Sequence, residues 1–253
     1  MQTLRQQVTG AVQTVLTQAL DTVLPPRCVV SGEVVERQGM VSPEAWSGLD
    51  FIVDPFCARC GFPFDFAVDD GSVCTSCLSH PPAFETARGA LKYNEVSRDI
   101  ILGFKHADKT YVVKAFVPWL KRAGAEMLGA ADIIIPVPLH HRRIIARRYN
   151  QSALIASALS DDTSVPAMLD GLVRTRSTQT QGHLTAKQRF KNVKRAFEVN
   201  PKHEKAIKGK AIILIDDVYT TGATVKECTK ALIKNGAGAV HVLTLARVVR
   251  DEF

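Results

Sequence analysis

No apolar run in the 253-residue sequence approaches the roughly 18 residues needed to span a bilayer, so no transmembrane helix is expected. The N-terminus lacks a compact apolar core followed by a small-residue cleavage site, and no secretory signal is expected either. Cysteine is scarce and unevenly placed. Four of the six cysteines form two Cys-x-x-Cys pairs, a distribution that argues for metal and against a disulfide framework. A reducing cytoplasm is the expected location. No internal repeat or low-complexity tract stands out. Acidic residues are also in deficit. The chain carries a formal net charge of +7, and residues 171–197 contain no Asp or Glu at all. Such an excess favours an anionic partner, and sugar phosphates, nucleic acid or an anionic membrane surface would each suit it. The ordinary apolar and charged fractions, 46% and 23%, exclude wholesale disorder and leave room for one or two domains.

Three regions are expected. Residues 1–26 hold an amphipathic helix: Leu4, Val8, Val12, Val15, Leu16, Leu20 and Val23 share one stripe, which Pro25-Pro26 ends. The stripe suits packing on this chain or on a second copy. A membrane anchor is the rival, poorly served by a polar face whose only basic side chain is Arg5. Residues 27–82 lose periodicity and are punctuated by Gly, Pro and Cys, as in a small module that needs a staple. Residues 83–253 alternate strand-like and helix-like stretches. Strands are predicted at 87–93, 132–137, 211–215 and 239–246, and helices at 96–104, 111–127, 151–159 and 223–234. Continuous β-branched runs such as Ile133-Ile134-Ile135, each followed by a helix, predict an α/β fold with a parallel sheet.

The segment Ile212 to Thr224 is the most informative. An apolar strand is predicted to end in Asp216-Asp217, pass through Thr220, Thr221 and Gly222, and enter a helix near Ala223. Ligands of open parallel sheets sit beyond the carboxyl ends of the strands. A helix N-terminus there offers unpaired N–H groups and the positive end of a dipole, which suit a phosphate. Two carboxylates beside a phosphate would repel it unless they accept hydroxyl protons or address a divalent cation. Ribose hydroxyls and Mg2+ meet that requirement.

The string Ile215 to Thr224 resembles the phosphoribosyl-pyrophosphate signature of type I phosphoribosyltransferases. The resemblance implies that Asp216 and Asp217 hold ribose hydroxyls with Mg2+ nearby, while Thr220, Thr221, Gly222, Ala223 and Thr224 wrap the 5′-phosphate. Further segments make the chain similar to the competence protein F (ComF) family, which joins this domain to a cysteine-rich N-terminal module. Pro136 to Leu139 followed by Arg142, Arg143, Arg147 and Asn150-Gln151 resembles the family's pyrophosphate-side loop. Fixed guanidinium forks suit a pyrophosphate leaving group, so these three arginines are the candidate catalytic groups. The family's usual Gly-Phe is replaced here by Arg148-Tyr149. Lys105 reaches the active centre by the same analogy. Arg174, Arg176, Gln181, Leu184, Arg189 and Asn192 resemble the family's mobile loop and its following helix. This basic stretch could be a hood, a track for single-stranded DNA, or a solvated face. Only Phe190 and Phe197 are near enough to stack bases, and both suit a core equally well.

Cys57-x-x-Cys60 and Cys74-x-x-Cys77 lie 13 residues apart. Two such turns complete a tetrahedral, closed and therefore structural Zn2+ site. Redox thiols are the alternative, but a catalytic pair works singly and opens a helix. The ComF resemblance usually includes an earlier cysteine ribbon. This chain keeps Cys28 from it, with Ser31 where a partner is expected, so one zinc is predicted and Cys28 is read as a leftover. Cys228 is expected in the core. His106, His140, His141 and His183 lack metal-site spacing and are read as surface or loop residues. Transfer of a phosphoribosyl group to an unidentified acceptor is the expected activity. A non-catalytic module for DNA uptake, using the same pocket for regulation, is the alternative.

Overall fold

The continuous β-branched stretches become strands of a sheet covered on both faces. A computed structural model describes residues 25–106, 110–140, 149–176 and 185–249, the side chains of His106, Ala186 and Lys187 excepted. The helix expected within residues 3–24 lies outside them, as do Arg142, Arg143, Arg147, His141 and His183. Four parallel strands form the main sheet: β1 (Thr86–Lys92), β2 (Ile133–Pro136), β5 (Ala211–Tyr219) and β6 (Ala239–Arg247), in the order β1-β6-β5-β2. The expected parallel α/β architecture is present. A two-stranded antiparallel ribbon of β3 (Leu172–Arg174) and β4 (Phe197–Val199) is added to it. At three residues per strand, neither carries a readable period.

Alternation along the strands sorts the core into two layers. Ile213, Ile215, Leu243 and Leu245 face a layer containing Ile101, Phe104, Phe116, Leu120, Ile155 and Leu159. These come from the helices Glu95–His106, Val113–Ala123 and Gln151–Asp162. Ile212, Leu214, Val240 and Val242 face the opposite layer, with Val225, Cys228 and Leu232 of the helix Ala223–Lys234. Cys228 is fully buried there, as expected.

Two differences from the sequence reading have clear causes. The single helix expected over 111–127 is a 3-10 turn (Thr110–Val112) and two helices, Val113–Ala123 and Ala125–Ala130, divided at Gly124. A Cβ at Gly124 would stand 2.8 Å from the Leu243 side chain, so glycine lets the chain approach β6 without displacing that leucine. Second, β5 does not end at Ile215. It runs on to Tyr219 because β6 keeps pairing with it, Asp216 opposite Thr244 and Tyr219 opposite Arg247.

Residues 27–82 are loop-rich, with helices of five residues only, Pro43–Ser47 and Thr75–Ser79. They are stitched to β1: Ile52 N–H donates to Ala90 O at 3.0 Å, and Ala87 N–H to Arg59 O at 2.7 Å. Val29 and Leu49 join the first core layer, and Cys57 and Cys60 the second. The module thus shares the larger domain's core instead of building its own.

Candidate functional site

Because β2 stops at Pro136 while β5 continues, Asp216 and Asp217 emerge on the open side of β5, beyond the carboxyl end of its neighbour. The last shared contact is Val137 N–H donating to Ile215 O at 2.8 Å. Asp216 accepts a hydrogen bond from Ser152 Oγ at 3.3 Å and one from Asp217 N–H at 3.0 Å. Dense surroundings, then the adjacent Asp217 charge, push the Asp216 carboxyl up to about 7. Asp216 remains half-buried, not sealed from solvent. Asp217 pairs with Lys105 Nζ at 2.6 Å, so a lysine from the end of the helix Glu95–His106 does reach this centre. The same helix end is tied down by Tyr149, whose hydroxyl donates to Phe104 O.

After β5 the chain turns through Thr220 and Thr221 into Gly222, which caps the twelve-residue helix Ala223–Lys234 with φ +72°. That left-handed conformation favours glycine. Contact also demands it, since a Cβ here would lie 2.4 Å from the Tyr219 hydroxyl oxygen. Thr221 Oγ1 is buried with no hydrogen-bond partner among the described residues. The loop therefore offers helix N–H groups and a spare hydroxyl beside two carboxylates. A divalent cation fits the carboxylates, because a positive charge there would offset the burial and mutual repulsion that raise Asp216. On the β2 side, Asn150 caps the helix Gln151–Asp162 by accepting from Ser152 N–H at 3.1 Å. Its Nδ2 donates to Val137 O at 3.1 Å, fastening that helix to the end of β2. Gln151 Nε2 is buried with no partner among the described residues.

Ser152, Tyr149 and Arg247 were missed as site residues. Tyr149 and Ser152 flank Asn150-Gln151 and so had a sequence signal, whereas Arg247 had none. Arg247, buried at the end of β6, donates from Nη1 to Cys60 O at 2.8 Å and from Nη2 to Cys60 Sγ at 3.4 Å. Its guanidinium lies 4.4 Å from the centre of the Tyr219 ring. His140 lies in the loop after β2, as one half of the surface-or-loop expectation has it, and is buried there.

The basic stretch is partly structural. Arg176 donates to the backbone carbonyls of Asn192 and Lys194 at 3.0 and 2.9 Å, and Arg174 stacks on Phe197 at 5.2 Å. Phe197 is core, whereas Phe190 is 38% exposed on the helix Ala186–Val193. Lys191 and Lys194 are exposed.

The Sγ atoms of Cys57, Cys60, Cys74 and Cys77 all lie within 4.8 Å of one another. Cys60 and Cys74 are 3.7 Å apart, close to the ~3.8 Å edge of a tetrahedron with Zn–S bonds of about 2.3 Å. Zinc fits this cluster. A hydrogen bond with Cys60, helped by the N–H groups of Cys60, Cys74 and Arg59, brings the Cys57 thiol down to about 4 against the effect of burial.

Residues 149–252 match the phosphoribosyl transferase domain family, and residues 19–78 match the double zinc ribbon domain family. Fold and sites together define a phosphoribosyltransferase-like protein with an N-terminal zinc ribbon. DNA utilization protein YhgH of Escherichia coli K12 is 32% identical over 198 residues, 76% of this chain and 84% of that protein. Competence protein F of Haemophilus influenzae is 31% identical over 76% of this chain and 85% of its own. For competence protein ComFC of Bacillus subtilis the identity is 25%, over 79% and 81%. The chain belongs to the competence protein F (ComF) family. Among solved structures, orotate phosphoribosyltransferase from Aeropyrum pernix aligns with a TM-score of 0.35 at 16% identity, over 63% of this chain and 80% of that one. Among the described residues no helix is long and apolar enough to cross a membrane.

Proposed function

We propose that the chain binds phosphoribosyl pyrophosphate with Mg2+ and transfers the phosphoribosyl group to an acceptor. The observation that carries this reading is the glycine-capped helix after the carboxylate pair, with the unpartnered Thr221 hydroxyl in its loop. Residues 83–253 form the catalytic domain, and residues 27–82 the zinc-bearing module on its edge. Asp216 and Asp217 accept the ribose hydroxyls and address Mg2+, which supplies charge neutralisation when bound. Thr220 to Thr224 hold the 5′-phosphate through backbone N–H groups and hydroxyls. Lys105 hands Asp217 over to the ligand. Arg142, Arg143 and Arg147 take up the pyrophosphate. In the displacement the C1–O bond breaks with its electron pair leaving on pyrophosphate, the acceptor bonds to C1 and releases its proton to water or to the departing pyrophosphate, and the arginines pair with the pyrophosphate's negative charge.

Calorimetry with phosphoribosyl pyrophosphate and Mg2+ tests the binding. The ligand should bind wild type and fail to bind Asp216→Ala/Asp217→Ala. Equal binding by both would refute the site. Turnover is read as pyrophosphate release during an acceptor screen. A second reading is favoured by the relatives' names, which speak of competence and DNA utilization. In it the same pocket regulates the handling of single-stranded DNA without chemistry. Binding with no release for any acceptor would select it.

A further inference from the structure

The family match names a double zinc ribbon, whereas the metal-compatible cysteines among the described residues form one cluster. Backbone geometry shows why the first ribbon is nonetheless present. Arg27 and Val34 form an antiparallel bridge, and at a constant interval along the chain so do Phe56 and Pro63. Cys28 N–H donates to Glu33 O at 2.6 Å, as Cys57 N–H does to Phe62 O at 2.7 Å. Gly32 N–H donates to Cys28 O and Gly61 N–H to Cys57 O, with the two glycines at φ +76° and +70°. The second halves match as well. Ser42 and Cys74 each precede a five-residue helix in an extended conformation, and Trp46 and Leu78 N–H close its first turn onto them. The metal positions Cys57, Cys60, Cys74 and Cys77 thus correspond to Cys28, Ser31, Ser42 and Ala45.

What fills the first site is a hydrogen-bonded cluster. Ser31 N–H and Ser42 N–H donate to Cys28 Sγ at 3.4 and 3.2 Å. In the second ribbon Cys60 and Cys74 N–H donate to Cys57 Sγ at 3.4 and 3.3 Å. The Ser31 and Ser42 hydroxyls lie 3.2 Å apart, where Cys60 and Cys74 hold their sulfurs 3.7 Å apart. Ser31 Oγ donates onward to Glu33 at 2.8 Å. One thiol, two neutral hydroxyls and a methyl group do not fit zinc, which in structural sites takes four thiolate or imidazole donors. We infer that the first ribbon is a metal-free copy of the second, in which the Cys28–Ser31–Ser42 hydrogen bonds take the place of the ion. Burial pushes the Cys28 thiol up, but the Ser31 and Ser42 hydrogen bonds outweigh it and bring it down to about 6. The cluster therefore stabilises the negative charge on sulfur that zinc would otherwise balance. Cys28 is the one ligand position the first ribbon retains, and it is the acceptor at the centre of the turn.

The inference does not rest on the phosphoribosyl reading. Native mass spectrometry and elemental analysis of the full chain, expressed with excess zinc, provide the test. Wild type and Cys28→Ala should each hold one zinc, with Cys28→Ala melting at a lower temperature. Cys60→Ser should hold none. Two zincs in wild type, or loss of zinc from Cys28→Ala, would overturn the inference. The triple variant Ser31→Cys/Ser42→Cys/Ala45→Cys should hold two. A folded triple variant still holding one would show that the ribbons are not equivalent copies. Should it fail to fold, the wild-type and Cys28→Ala counts still decide.

Discussion

Replacing Arg247 by Leu should damage the zinc module and the phosphate loop together. Arg247 is 8% exposed, and its two Nη atoms donate to Cys60 while its plane covers Tyr219. Tyr219 in turn places its hydroxyl over Gly222. Leucine keeps much of the apolar bulk but loses the charged donor, leaving the buried Cys60 carbonyl unsatisfied. A hydrogen bond from a charged group is worth about 1.5–3 kcal/mol. A desolvated cation–π contact adds about 2 kcal/mol. The expected loss is therefore about 3–5 kcal/mol, a large share of the ~5–15 kcal/mol that holds a typical domain folded. At about 2–4 °C per kcal/mol for a chain of this size, Tm should fall by roughly 6–20 °C. Urea denaturation followed through Trp46 and Trp119 reads the stability, and a chromogenic chelator reads the zinc release rate, which should rise. A double-mutant cycle with Tyr219→Leu should give a coupling of about 1–2 kcal/mol. A loss below about 1 kcal/mol, or strict additivity with Tyr219→Leu, would falsify the linkage and restore the picture of an independent module.

Gly222→Ala should cost about 2–4 kcal/mol, from a left-handed alanine and the contact with the Tyr219 hydroxyl, and should weaken phosphoribosyl pyrophosphate binding in calorimetry. Unchanged stability and affinity would contradict the tight loop. Asp216→Asn should stabilise the protein at pH 8 and leave it nearly unchanged below pH 4, as read by melting scans across pH. The folded carboxyl is raised to about 7, above its unfolded value of about 3.9, so the native state loses stability as pH climbs from one to the other. A pH-independent effect would refute that assignment. If single-stranded DNA follows the basic stretch, replacing Lys187, Lys191 and Lys194 by Ala should flatten the salt dependence of filter binding by about 0.7 per lost phosphate contact. Indistinguishable slopes would leave these lysines as an active-site hood or a solvated face.

The strands at 133–136 and 239–247 and the helix at 223–234 were legible because short apolar strand-like runs and a glycine-led helix start are short-range patterns. The carboxylate pair and its loop were legible for the same reason: Asp216 to Thr224 are neighbours in sequence as well as in space. The four zinc-site cysteines announced themselves by spacing, which a tetrahedral ion imposes locally. Other features depended on partners far along the chain. β5 passes through Asp216 and Asp217 only because β6 pairs with it as far as Arg247. Gly124, where the expected single helix divides, packs against Leu243, a neighbour 119 residues along the chain. Lys105 meets Asp217, and Arg247 meets Cys60, across separations that no periodicity encodes. The first ribbon was legible only through the family resemblance, as Cys28 with Ser31 in a partner's place; Ser42 and Ala45 gave no signal, because serine and alanine carry no metal-site spacing. The repeat survives in backbone hydrogen bonds and glycine dihedrals, which side-chain identity does not record until the chain is folded.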